Sequence, residues 1–373
     1  MQLKMKTKET LTFSQDNYVA IMAGGIECRF WPMSRSNYPK QFLDLLNTGE
    51  SLLQATLRRF AGVVPAENIY VITAQEYLPI VLKQLPELPL ENVLGEPERK
   101  NTAACITYIC TKLYKKNPKA NLIIAPSDHM IGDEGLFRTT CSKALRFSEK
   151  YAVFLALGIK PTYPNPGYGY IQMGSDIVGY DYVKEASQFI EKPSRKSAEL
   201  FLADGQYLWN TGIVSCKAKV MLDALKEFQP SLIKLFEKYG AAINTSEEEK
   251  AIGVIYKKCA SISIDYAVME NATNTYVLPS SFQWNDLGTW NSAWENFDKD
   301  EYSNAVNNDN TLMVDSSGCI VHSTDQKLLV VGGVEDLIIV NTPDALLVCK
   351  KTDEKKIKEY LSVVEKQKGK IYS

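Results

Sequence analysis

Several short strings of this chain hold residue types that could bind phosphate, a hard cation or hydroxyl groups. The first is Ala23-Gly24-Gly25-Ile26-Glu27-Cys28-Arg29-Phe30-Trp31-Pro32-Met33-Ser34-Arg35, running on to Pro39-Lys40-Gln41-Phe42-Leu43. It follows the apolar run Tyr18-Val19-Ala20-Ile21-Met22, so a buried strand enters a glycine turn. N–H groups in such a turn can approach phosphate closely, and Arg29 and Lys40 set positive charge beside it. On spacing alone, the same residues also make a tight turn with solvated charges. The string is neither G-x-x-x-x-G-K-[ST] nor G-x-G-x-x-G, so the Walker and dinucleotide readings fall, and a nicotinamide dehydrogenase with them.

Glu96-Pro97-Glu98-Arg99-Lys100-Asn101-Thr102-Ala103 opens a helical pattern, where Asn101 or Thr102 could act as the cap. Leu122-Ile123-Ile124-Ala125-Pro126-Ser127-Asp128-His129 sets an acid at the carboxyl end of a buried strand, the edge where open α/β sheets gather ligands. An acid capping the next turn would read the same way. Asp286 stands in Trp284-Asn285-Asp286-Leu287-Gly288-Thr289-Trp290. Three further strings mix donors and acceptors: Gly167-Tyr168-Gly169-Tyr170-Ile171, Phe189-Ile190-Glu191-Lys192-Pro193 and Leu208-Trp209-Asn210-Thr211-Gly212-Ile213. Sugar hydroxyls need such pairs, and a sugar phosphate needs a cation. A Glu-Lys-Pro string is also a common solvated strand end.

The elements that must position these residues alternate. Apolar runs at 69–72, 122–125 and 153–157 read as strands, and Ala103–Tyr114 and Phe137–Ser148 have helical spacing. Ser51 reads as the N-cap of a helix starting at Leu52. Alternation of this kind predicts βαβ units and a mainly parallel sheet covered on both faces. Pro164–Tyr170 reads as a loop over the carboxyl edge of the sheet, and Asn304–Asn310 as a polar linker. Strand-like runs then recur at 311–314, 319–322, 328–331, 337–340 and 345–348. Both an open hairpin sheet and a short solenoid fit that spacing. A charged helix over 353–366 closes the chain. The boundary is set near Phe297, giving a catalytic domain over 1–296 and a β-rich domain with a terminal helix over 297–373.

Composition narrows the class. A net charge of -2 over 373 residues gives no support to a nucleic-acid reader. The eight cysteines form no C-x-x-C pair, and His129 and His322 are the only histidines. A histidine-based metal site and a Ser-His-Asp relay are therefore nearly excluded, and any metal must be hard and oxygen-ligated. The polar N-terminus lacks the apolar core of a signal peptide, and no run could span a bilayer, which points to the cytoplasm.

Taken in order, these strings resemble the motifs of sugar-nucleotide pyrophosphorylases, and most closely those of the mannose-1-phosphate guanylyltransferases. The resemblance covers the chain from about Tyr18 onward. It implies a Rossmann-like three-layer α/β nucleotidyltransferase domain with a small C-terminal domain like a left-handed β-helix, able to support a homodimer. It implies transfer of GMP from GTP to mannose 1-phosphate, with Mg2+ on Asp128 and Asp286. Arg29, Lys40 and Lys192 would stabilise the phosphates; Gly24, Gly25, Glu96, Asn101 and Asp128 would line the nucleotide. Gly169, Glu191 and Asn210 would hold the sugar. The 264–270 string also resembles a family element, as ligand contact or as helix packing. Glu27 departs from the pattern, because the family usually has a third glycine there. A carboxylate at that place must point away, contact the metal or a base, or weaken catalysis. A pyrophosphorylase for another sugar or base, and a binding homologue without turnover, are the alternatives.

Overall fold

A computed structural model describes residues 14–26 and 28–373; the polar lead-in before them and Glu27 lie outside the described residues. Strand Asn17–Met22 is the centre of the architecture. Val19 and Ile21 point to one face, with Ile69, Val71, Ile123 and Leu155. Tyr18 and Ala20 point to the other, with Tyr70, Ile72, Leu122 and Ile124. This alternation with period two gives each strand two apolar faces, so both must be covered. Helices Leu52–Phe60, Leu78–Gln84 and Glu134–Lys150 supply side chains to the first face. Helices Asn101–Lys116, Ala218–Phe228, Pro230–Tyr239 and Glu248–Lys258 supply them to the second. Three layers result.

The nine-stranded sheet runs Val93–Glu96, Ile69–Ala74, Asn17–Met22, Asn121–Pro126, Tyr207–Lys217, Phe154–Ile159, Thr275–Ser280, Tyr180–Ile190, Gly169–Ile177. It is parallel through its first four strands. Beyond them it is more mixed than the alternating pattern predicts. Tyr207–Lys217 runs antiparallel to both neighbours, and Gly169–Ile177 pairs with Tyr180–Ile190 as a hairpin. The hairpin turns at Val178-Gly179, where Gly179 takes φ +82, a left-handed conformation that glycine adopts without Cβ strain. The residues read as a loop over 164–170 therefore already join a strand at Gly169.

Helix Leu52–Phe60 begins as read, with Ser51 and Gln54 in a reciprocal capping box. Helix Asn101–Lys116 begins differently. Asn101 sits at φ +62 and its Oδ1 accepts from Thr102 N, whereas Thr102 Oγ1 accepts from Ile264 N at 2.8 Å. Thr102 thus ties the helix to the 264–270 segment instead of capping its own first turn.

The C-terminal region is a coil. Strand Thr311–Val314 stacks in parallel on Leu329–Gly332, and Ile320–Ser323 on Leu337–Asn341. Partners one turn of the coil apart, such as Thr311 and Leu329, exclude the hairpin alternative. Leu346–Lys350 then folds back antiparallel to close the stack. The stretch read as a linker is part of the coil: Ala305–Val306 pairs with Ile320 and Val321, and Asn304 is 1% exposed. Its asparagines bond across coils, Asn307 to Ser323 N and His322 Nε2, and Asn304 to Ser316 O and Cys319 N. Polar composition here marks internal hydrogen bonding between turns. Ile320, Ile338, Val340 and Leu347 pack with Phe30, Trp31, Leu52 and Trp290, so the coil shares a core with the segment after the glycine turn. Among the described residues, no helix is long and apolar enough to cross a membrane.

Candidate active site

The glycine turn leaves strand Asn17–Met22 at the carboxyl edge of the parallel strands and is fixed from below. Ala23 N bonds Ile72 O at 2.7 Å, and Thr73 Oγ1 donates to Ala23 O. Gln41 Nε2 donates to both Ala23 O and Gly25 O, so the turn is anchored from inside and its open side faces a cavity. That cavity of about 480 Å³ is lined by Gly24, Gly25, Glu96, Asn101, Ser127 and Asp128, among others. Glu96 closes one wall. A Cβ at Gly24 would stand 3.1 Å from Glu96 Oε2, so only glycine leaves the acid unpressed. Burial pushes the Glu96 carboxyl up to about 7, against the opposing pull of Tyr256, which donates to Oε1 at 2.9 Å, and of Arg99.

Behind the Asp128 wall of the cavity, a lysine joins that acid to the backbone of the turn that carries Asp286. Lys40 Nζ lies 3.0 Å from Asp128 Oδ2, 2.8 Å from Asp286 O and 3.0 Å from Leu287 O. It is 2% exposed, so it joins the Asp128 strand end to the Asp286 turn from within. Burial alone would raise the Asp128 carboxyl, but Lys40, His129 and its own amide together hold it below the usual range. Asp286 Oδ1 accepts from Tyr168 OH and from Gly288 N. Arg29 is exposed, and its Nη1 donates to Gly288 O at 3.1 Å, on the same turn. Trp284 Nε1 donates to His129 Nδ1, and burial lowers the pKa of that ring. The neutral ring therefore carries its proton on Nε2, 3.8 Å from Asp128 Oδ1.

The sugar-side strings form a separate cluster. Strand pairing sets Gly169 opposite Asn210. A Cβ at Gly169 would fall 2.5 Å from Glu191 Oε2 and 3.1 Å from the Asn210 Cβ. Glu191 Oε1 pairs with Lys192 Nζ at 2.9 Å, and Asn210 Nδ2 donates to Asp265 Oδ1. Asp265 is pushed up to about 6 by burial and by Glu191, with Lys192 and Asn210 opposing. Asp265 also lines a smaller cavity of about 140 Å³ that shares Met22, Thr102 and Pro126 with the larger one. The two clusters are adjacent along the chain as well: Tyr168 bonds Asp286, and Gly169 abuts Glu191.

The fold thus brings Gly24, Gly25, Glu96, Asn101 and Asp128 to one cavity, sets Lys40 and Arg29 on the adjoining Asp286 turn outside its lining, and gathers Gly169, Glu191, Lys192 and Asn210 in the cluster next to it. Three non-glycine residues at positive φ lie in these strings, Asn101, Lys192 and Leu287. Strain at such positions concentrates at functional sites. Sequence reasoning left Asp265 undecided between contact and packing and gave Tyr168 and Tyr256 no role. The Asp265 string was visible; the two tyrosines act through partners 118 and 160 residues away, which no local pattern carries.

Comparison with known proteins agrees with this construction. The model of the nucleotidyl transferase family matches residues 18–303, and that of the MannoseP isomerase/GMP-like beta-helix domain matches 309–366. A mannose-1-phosphate guanylyltransferase of Klebsiella pneumoniae is 36% identical over 91% of this chain and 73% of its own length. The alginate biosynthesis protein AlgA of Pseudomonas putida is 33% identical over 93% of this chain and 71% of its own length. A Thermus thermophilus structure described as a mannose-1-phosphate geranyltransferase superposes with a TM-score of 0.83 at 31% identity, covering 94% of this chain and 99% of that one. By these matches the chain belongs to the nucleotidyl transferase family, among the mannose-1-phosphate guanylyltransferases.

Proposed function

We propose that this chain transfers GMP from GTP to mannose 1-phosphate, giving GDP-mannose and pyrophosphate, with Mg2+ as the required ion. Its family takes a nucleotide and a sugar phosphate as substrates. The single observation that carries the reading is the junction of Asp128, Lys40 and the Asp286 turn at the end of a nucleotide-sized cavity. The donor set suits the ion. Among the described residues no three His, Cys, Asp or Glu side chains form a cage. Asp128 on the cavity wall, with the Asp286 turn tied to it through Lys40, offers oxygen donors of the kind Mg2+ takes, since that ion uses one or two carboxylates and fills its shell with phosphate and water.

When bound, Mg2+ supplies charge neutralisation on the triphosphate. Asp128 and Asp286 hold it. The amides of Gly24 and Gly25 face the phosphates, and Arg29 adds positive charge from the exposed side. Lys40 keeps the two acids at a fixed spacing while adding its own charge behind them. Glu96 and Asn101 take the guanine. Gly169, Glu191 and Asn210 receive the mannose hydroxyls, and Lys192 the sugar phosphate. That phosphate oxygen is anionic at neutral pH and attacks the α-phosphorus with no general base. A P–O bond forms there as the bond to pyrophosphate breaks. Catalysis is then positioning and charge.

The test is pyrophosphate release from GTP, mannose 1-phosphate and Mg2+, run beside other triphosphates and sugar phosphates. Release confined to the GTP and mannose 1-phosphate pair, and lost in Asp128→Ala, is the expected result. Release with a different pair would reassign the substrates. Silence that Glu27→Gly restores would make the chain a binding homologue.

A further inference from the structure

Asp128 stands just past the last bond that ties its strand to the sheet, from Ser127 N to Met22 O at 3.1 Å. Strand Asn121–Pro126 ends two residues before it, and strand Met130–Ile131 begins two residues after it. The carbonyls on either side of Asp128 must find donors elsewhere, because buried backbone acceptors are rarely left bare. Both donors come from helix Leu52–Phe60, which holds none of the motif residues. Thr56 Oγ1 lies 3.0 Å from Ser127 O, and Arg59 Nη1 donates to His129 O at 2.8 Å. Arg59 Nη1 is also 3.4 Å from Thr56 Oγ1, so the two are one network. Thr56 shares its single proton with Leu52 O, 2.8 Å away. Both side chains are buried, Thr56 at 4% and Arg59 at 5% exposure. Arg59 is also ion-paired with Glu134, whose Oε1 is 3.4 Å from its Nε.

The need for such a brace follows from Lys40. Its ammonium lies against Asp128 Oδ2 and competes with a metal ion for the same carboxylate. A backbone free to move would let Asp128 settle on the lysine and turn away from the ion. We propose that Thr56 and Arg59 are positioning residues for the reaction: they fix the peptide on both sides of Asp128, so that its carboxylate stays presented to the ion despite Lys40. The inference rests on the ion-binding role of Asp128 proposed above.

The test is Mn2+ binding to the full chain in the presence of GTP, followed by electron paramagnetic resonance, with thermal unfolding measured alongside. Thr56→Val keeps the shape and removes the hydroxyl. It should weaken Mn2+ binding roughly tenfold, the scale of losing a bond that orients a metal ligand, while metal-free GTP binding stays near the parent value and the unfolding midpoint falls only by the few degrees that one bared carbonyl costs. Thr56→Ser, which keeps the hydroxyl, should bind as the parent does. Arg59→Lys keeps the charge, loses the planar fork, and should move in the direction of Thr56→Val. If Arg59→Lys does not fold, the two Thr56 variants decide. Asp128→Asn is the reference. Loss of binding in Asp128→Asn with parental binding in Thr56→Val would overturn the positioning role and leave the site intact. Parental binding in Asp128→Asn itself would remove the ion from Asp128, and both proposals would fall together.

Discussion

Lys40 and Lys192 bring the same ammonium group to two halves of one site, and the fold sets them in opposite ways. Lys40 is 2% exposed and has three oxygen partners, two of them backbone carbonyls of the Asp286 turn. The side chain of Lys192 is 60% exposed, with Glu191 as its ion-pair partner. Near Lys40 the acids are held by a lysine, a tyrosine and backbone amides. Near Lys192 two acids, Glu191 and Asp265, crowd together, and one is pushed up to about 6. The Lys40 half is thus held together by the protein's own groups, whereas the Lys192 half sets an exposed cation beside Asp265, an acid whose burial favours its protonated form.

Exchanging each lysine for methionine should separate the halves most widely. Lys40→Met leaves the Asp128 carboxylate and two carbonyls without their donor. Breaking a buried pair on one side costs roughly 3 kcal/mol, and turnover should fall at least about a hundredfold, the scale of losing one fixed donor at a developing charge. Lys192→Met should cost no more than about 1 kcal/mol, the ceiling for a largely solvated pair, because Asp265 can take up a proton. Its damage should sit in KM for the sugar phosphate. Denaturant unfolding and a kcat-against-KM comparison read both, and equal stability losses would erase the distinction.

A smaller effect should follow from the glycines. At Gly169 an added Cβ meets Glu191 Oε2 at 2.5 Å, with the Asn210 Cβ behind it; at Gly24 it meets Glu96 Oε2 at 3.1 Å. Gly169→Ala must push aside the largely buried Glu191 carboxylate and press on the stiffer Asn210 Cβ, an overpacking cost of about 1–3 kcal/mol. Its KM for the sugar phosphate should rise while that for GTP holds. Gly24→Ala asks only a small shift of Glu96 and should act on GTP alone. Matching effects on both substrates in either variant would mean that the halves are not independent.

The same divide governs what could be read before the structure. The strand into the glycine turn, the Ser51 cap and the recurring C-terminal runs were legible because each is a local pattern of apolar spacing or capping. The burial of Lys40 was not, since its partners are 246 and 247 residues away and nothing near it in sequence marks it as internal. Nor was the brace behind Asp128, because Thr56 and Arg59 sit on an ordinary amphipathic helix. The asparagines of 304–310 misled for a related reason: polar residues suggest solvent, and here they bond to the next turn of a coil. The mixed sheet escaped because an antiparallel hairpin whose faces are both partly covered shows no clean alternation.

The acids of the two halves should also differ in how stability responds to pH, and this is the finest of the contrasts. Glu96 is 8% exposed and pushed from 4.5 up to about 7, with Tyr256 as its near partner. Between those values the folded chain holds a proton that the unfolded chain has released, so stability falls as pH rises from about 4.5 to 7 and levels off above. The steepest slope from one such group is about 1.4 kcal/mol per pH unit. Asp265, restrained by Lys192 and Asn210, rises from 3.8 only to about 6, so its own loss is complete at lower pH. Glu96→Gln removes the titration without removing the hydrogen bond to Tyr256. Unfolding of both chains from pH 4 to pH 9 should therefore give a difference curve that moves in favour of the variant up to about pH 7 and is flat beyond it. A difference curve flat throughout would mean that Glu96 is ionised in the folded chain, and that the acid of the nucleotide half, like Asp128, has a cation close enough to offset its burial.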